Sequence, residues 1–207
     1  MGVIIPTVNT VTEPEFNAMK PPGVTVHITR MPIHFNPEVD GFKGLMEDLD
    51  IRLNEFVQFT ADIVAYNCTV GSMACPSKML IDKIETVTHA PGVATASSIV
   101  QALQALEVEN ISLATPYSDT TNEHEKDFLE RNGIKVLKMA GMSFEAVEPE
   151  LGKKFAEVPE DVIFRHALSV DHSDAQALFL SCAYFPTAPL VPVSYTHLRA
   201  HATLRYL

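Results

Sequence analysis

Two cysteines hold the reactive chemistry of this chain. Cys68 closes the apolar run ADIVAYNC, and Cys182 closes the run DAQALFLSC. A thiolate is a strong nucleophile and a thiol is a usable acid, so a pair of them suits reactions that work on one carbon from two faces. The segments ahead of the cysteines look like two copies of one unit. IIPTVNTVTE (residues 4–13) and LATPYSDTTNE (residues 113–123) pair Pro6 with Pro116, Thr10 with Thr120 and Glu13 with Glu123 at one offset of 110 residues. The cysteines pair at 114. A duplicated lobe with one thiol per copy implies two thiols facing each other across a cleft.

The neighbours of each cysteine are polar in a useful way. Cys68 lies in YNCTVGS, where Thr69, Gly71 and Ser72 offer donors to a carboxylate. A helix start soon after it is expected to lower the thiol pKa from its usual ~8.5. Asn9, in PTVNT, either offers its amide to a carboxylate or makes an Asx-turn into a helix. Tyr117, in ATPYSD, holds the matching place in the second copy, as an oxyanion donor or a packing tyrosine. Cys75 has no counterpart and reads as structural. No CxxC pair occurs, and Cys68 and Cys75 have no histidine in register between them, which argues against a metal site. His197 and His201 have helical spacing but lie in an atypical tail.

Alternating strands and helices must position these residues. Strands are expected at Gly2–Pro6 and at residues 24–29, 63–68 and 92–96, then at residues 111–115, 134–139 and 178–182. Phe42, Leu45, Met46, Leu49, Leu53, Phe56 and Val57 recur at three and four and predict an amphipathic helix. Further helices are expected over residues 76–87, 97–106, 122–131 and 159–168. Thr10-x-x-Glu13, Thr12-x-x-Glu15 and Thr120-x-x-Glu123 fit capping boxes. This order predicts an α/β fold of parallel sheets, with ligands beyond the carboxyl ends of the strands. Asn9, Cys68, Tyr117 and Cys182 all fall at such ends.

Composition narrows the partners. The 207 residues carry a formal charge of −11, which argues against nucleic acid or an anionic membrane surface. No apolar run reaches the ~18 residues of a spanning helix, and the N-terminus lacks the pattern of a signal peptide. Three cysteines without scaffold spacing fit reduced thiols in a cytoplasmic protein. After Asp174 there is no Asp, Glu or Lys, and Pro186, Pro189 and Pro192 precede VSYTHLRAHATLRYL. That stretch resembles a reading frame contributed by adaptor sequence. The expected organisation is a first lobe over 1–108 with Cys68, a second over 109–193 with Cys182, and a non-family tail over 194–207. The second lobe would then be incomplete.

Together, IIPTVNTVTEPEF, ADIVAYNCT, ATPYSDTTNEHE and LFLSC resemble the aspartate/glutamate racemase superfamily, nearest its branch of maleate cis-trans isomerases and arylmalonate decarboxylases. The resemblance runs from about residue 2 to about residue 185. It implies two pseudosymmetric flavodoxin-like lobes and an active site that uses no cofactor and no metal. It places the catalytic cysteines on Cys68 and Cys182, a carboxylate-binding asparagine on Asn9, and oxyanion donors on Thr69 and Tyr117, with Ser72 in the same loop. Decarboxylases of this type usually have glycine at the Cys68 position. The expected activity is therefore cis-trans isomerisation of a small dicarboxylate, with racemisation and then decarboxylation as alternatives, and an inactive truncated member as the non-enzyme alternative. The expected partner is a small carboxylate, and a homo-oligomer stays open. Phe35, Phe144 and Tyr184 are candidates for setting substrate size.

Overall fold

β1 (Gly2–Pro6) sends its side chains alternately to two apolar layers, which is why its sequence is apolar throughout. In the computed structural model, which describes residues 1–34, 36–142 and 155–190, Ile4 packs with Leu49, Leu53, Phe56 and Ile84, while Val3 and Ile5 pack with Phe16 and Ile28 on the other face. The strand runs parallel to β2 (His27–Met31) on one side and to β3 (Val64–Tyr66) on the other, and β4 (Gly92–Ala94) pairs with β3. The sheet order is β2-β1-β3-β4.

The crossover helices among the described residues are α1 (Thr12–Met19), α2 (Lys43–Val57), the short α3 (Thr69–Ala74) and α4 (Ser77–Thr88). Of the predicted α2 stripe, Leu45, Leu49, Leu53 and Phe56 are buried, each contributing roughly 1.5–3 kcal/mol by transfer from water. A 3₁₀ turn at Pro37–Asp40, which the periodicity does not signal, precedes α2. α5 (Thr95–Ala105) begins two residues before the expected start at residue 97.

Two compact units divide the chain, the first being Met1–Ser97 and the second beginning at Ser98. In the second, β5 (Asn110–Thr115) lies between β6 (Lys135–Gly141) and β7 (Ala177–Leu180), again all parallel. α6 (Asp119–Arg131) and α7 (Glu160–Ser169) cover opposite faces. Leu129 of α6 packs with Ile111, Leu113 and Phe179, and Ile163 and Ala167 of α7 pack with Leu178 and Leu180.

Strand order makes the internal repeat visible. In each unit the first strand lies between the second and the third. Both are therefore α/β units with parallel sheets, as expected. Among the described residues the second sheet has three strands. Phe35, Phe144, His197, His201 and the tail over 194–207 lie outside the described residues. Among the described residues no helix is long and apolar enough to cross a membrane.

Candidate active site

A 2-1-3 strand order creates a switch point where connections leave the first and third strands toward opposite faces, and ligands bind beyond the carboxyl ends there. The six candidate residues divide between two such points. Asn9 follows β1, and Cys68, Thr69 and Ser72 follow the adjacent β3. Tyr117 follows β5, and Cys182 follows the adjacent β7.

In the first unit the two loops are joined by buried hydrogen bonds. Asn67 donates its backbone N–H to Ile4 O at 2.8 Å. Its side-chain Oδ1 accepts from Thr12 Oγ1 at 3.2 Å, and Thr12 Oγ1 accepts in turn from Asn9 Nδ2 at 2.8 Å. Asn9 Oδ1 accepts from the N–H groups of Val11 and Thr12 at 2.9 and 3.0 Å, so this asparagine makes the Asx-turn that opens α1. Arg30 of β2 holds the same loop by donating to the carbonyls of Thr7 and Asn9 at 3.1 and 2.6 Å. Asn9, in place of the expected Thr10 and Thr12 capping boxes, accepts from the first N–H groups of the helix.

Cys68 is the N-cap of α3, and its Sγ accepts from Gly71 N–H at 3.4 Å. The expected lowering of its pKa is overturned. Burial pushes the thiol up to about 11, and the Gly71 bond opposes this only in part. Two side chains enforce the glycine. A Cβ at Gly71 would come within 2.7 Å of the Tyr66 hydroxyl and 3.0 Å of Cys68 Sγ. Tyr66, which ends β3, is thereby lodged beside the thiol, and its own pKa is raised by burial and by Cys68 and Cys75. Thr69 opens α3 and is buried. Ser72 is fully buried, donating to Thr69 O and accepting from Ala96 N–H, both at 2.9 Å, so its hydroxyl ties α3 to the start of α5. Cys75 is buried at the other end of α3, its thiol likewise pushed up to about 11 by burial.

In the second unit, Cys182 has a backbone φ of +110°, a region that side-chain-bearing residues rarely adopt. Its Sγ accepts from Tyr184 N–H at 3.4 Å, and its carbonyl from Phe185 N–H at 3.1 Å. Tyr117 is buried and stacks edge-on against Phe155 at 6.3 Å, and Phe155 meets Tyr184 at 6.1 Å. Tyr184, expected to affect substrate size, thus belongs to an aromatic row with Tyr117. Phe155 has no sequence signal of its own. The turn carrying Tyr117 is set by Thr115 Oγ1, which accepts from Tyr117 N–H at 3.0 Å and donates to Asn122 Oδ1. His166 Nε2 of α7 contacts Thr115 O at 3.0 Å.

Among the described residues no cluster of His, Cys, Asp or Glu side chains has the makings of a metal site. The arrangement offers thiols, amide and hydroxyl donors, which is the equipment for addition to, or proton transfer at, a carbon beside a carboxylate.

Comparisons with known proteins agree with the sequence resemblance. A family model described as arylmalonate decarboxylase matches residues 1–201. The maleate isomerase of Nocardia farcinica is 25% identical over 205 residues, covering 92% of this chain and 79% of that protein. Among solved structures, a cysteine-to-serine variant of N. farcinica maleate cis-trans isomerase, with a covalently bound succinylcysteine intermediate, superposes with a TM-score of 0.83 at 21% identity. That match covers 96% of this chain and 84% of the other. Arylmalonate decarboxylase superposes with a TM-score of 0.75 at 19% identity, covering 96% and 84%. At these identities the superpositions establish a shared fold.

Proposed function

We infer the reaction from one premise: this chain belongs to the arylmalonate decarboxylase family. We propose that it isomerises a small cis dicarboxylate of the maleate type to its trans form, with Cys68 as nucleophile and Cys182 as the proton-handling thiol. The observation that carries this reading is Cys68 itself, the cysteine that caps α3 just past the carboxyl end of β3. A decarboxylase with glycine there needs one thiol, whereas a covalent isomerisation needs a sulfur at that place. The succinylcysteine adduct in the N. farcinica isomerase supports the covalent route.

In the proposed cycle, Cys68 Sγ forms a bond to one alkene carbon, and the π electrons take a proton at the other, from the Cys182 thiol. The former double bond is then single and rotates. Return of that proton to Cys182 and cleavage of the carbon–sulfur bond release the trans product. Because Cys68 rests as a neutral thiol, its own proton must leave as addition occurs, with the substrate carboxylate as an available acceptor. Thr69 and Tyr117 would donate to the carboxylate on which charge builds, where such preorganised donors carry much of the acceleration. Asn9 and Ser72 support the loops through the hydrogen bonds described above, so the substrate contacts proposed for them are secondary to those of Thr69 and Tyr117.

Proton NMR of the purified protein in deuterated buffer, with maleate, aspartate and an arylmalonate supplied separately, tests the reading. The expected result is the vinyl signal of the trans product from maleate, with Cys68→Ser at least about 100-fold slower. Exchange at the aspartate α-carbon alone would make it a racemase, and loss of carbon dioxide alone a decarboxylase. Silence with all three would favour an inactive member.

A further inference from the structure

Glu125 is a buried carboxylic acid, and the reaction described above makes no use of it. It lies on α6 with 1% of its surface exposed. Its Oε1 accepts from Ser181 Oγ at 2.5 Å, and its Oε2 is buried with no hydrogen-bond partner among the described residues. Leaving a carboxylate oxygen dry and unpaired is expensive, so the site favours the neutral acid. Ser181, itself fully buried, is the residue between the end of β7 and Cys182. Its backbone N–H donates to Ala114 O at 2.9 Å. The side-chain bond to Glu125 therefore adds a second fixed point immediately ahead of the unfavourable φ of Cys182.

One turn earlier on the same face of α6, Asn122 is bound to the turn carrying Tyr117, accepting from Thr115 Oγ1 and donating to Tyr117 O at 3.4 Å. One helix face thus reaches both loops of this switch point.

We propose that Glu125, acting through Ser181 as a neutral carboxylic acid, is a positioning residue that holds Cys182 in its working backbone conformation. The inference rests on Cys182 being a working thiol in the proposed function. Burial raises the Glu125 pKa to about 7, with the Ser181 hydroxyl opposing, and no charged group contributes. Among the described residues, the titratable groups at the same end of the sheet include Tyr117 after β5, His166 from α7 and Cys182 itself. Ionisation of Glu125 above neutral pH strengthens its bond from Ser181 but leaves a desolvated charge on the unpartnered Oε2, so the hold on Cys182 changes there.

The test measures the alkylation rate of Cys182 by iodoacetamide in the intact chain, read by peptide mass spectrometry from pH 5 to 9. Glu125→Gln keeps the acceptor and mimics the neutral acid, so it is compared with wild type and with Ser181→Ala. The wild-type profile is expected to show an inflection near the Glu125 pKa of about 7 in addition to the rise from the thiol itself. Glu125→Gln should follow wild type below that point and diverge from it by more than about threefold above it. Ser181→Ala should lose the inflection altogether. Superimposable profiles for wild type and Glu125→Gln would overturn the proposal. If Glu125→Gln does not fold, persistence of the inflection in Ser181→Ala overturns it instead. Failure of the isomerase reading shows separately, as Cys182→Ser retaining full turnover.

Discussion

At Cys68 one sulfur caps a helix and is also the proposed nucleophile. It caps α3 through Gly71 N–H, and burial holds it as a thiol with a pKa of about 11. A thiol of this kind should be alkylated at least about tenfold more slowly at pH 8 than an unhindered cysteine, with the rate climbing as pH rises toward 11. The sign for stability follows from the same shift. The folded pKa is raised, so the contribution is complete below the unfolded value near 9 and is lost as pH rises through about 11. Alkylation kinetics of Cys68 from pH 7 to 11 check this, and a profile centred below pH 8 would contradict it. The position of Cys68 was legible in the sequence because a strand-like run ends there. The direction of its pKa was not, because it depends on burial against an apolar cluster whose members come from segments far apart in the chain. Asn9 was legible as one of two alternatives, and the hydrogen bonds from Val11 and Thr12 show the turn-forming one in place.

The element that organises the second unit is α6, whose inner face bears Asn122 and Glu125. Gly141, at the end of β6, is pressed against it. A Cβ there would lie 2.1 Å from Asn122 Nδ2 and 2.3 Å from Tyr117 O. Backbone and a buried amide cannot yield that much, so Gly141→Ala should destabilise the protein by about 1–3 kcal/mol or more. Urea unfolding measures this, and an unchanged midpoint would show that the turn has slack. Turnover should fall with it, since the same displacement moves Tyr117. The Thr120-x-x-Glu123 pattern suggested a capping box at the start of this helix. The helix instead starts at Asp119, with Thr115 and Asn122 fixing its entry. Local pattern identified the helix. Its cap was decided by the need to fasten a turn to a neighbouring strand, which no local pattern records.

For the whole molecule, the offset shared by Pro6 and Pro116 announced a duplication, and the common 2-1-3 strand order is its structural form. Alternation of apolar strands and amphipathic helices was enough to foresee two parallel sheets, because parallel strands buried on both faces leave a plain signature. Long-range polar contacts such as Glu125 with Ser181 had no such signature. The net charge of −11 bears on the proposed substrate, which is a dianion and is repelled on approach. At subsaturating maleate, kcat/KM should therefore rise as ionic strength increases from about 10 to 150 mM. A fall over that range would mean that local positive potential outweighs the overall charge. The duplication also bears on symmetry. Maleate has two equivalent halves, and a protein assembled from identical copies would treat them alike. Here the two copies differ in their loops, the one after β1 bearing Asn9 and the one after β5 bearing Tyr117. Such unlike loops would let the proposed isomerase tell the two ends of a symmetric molecule apart.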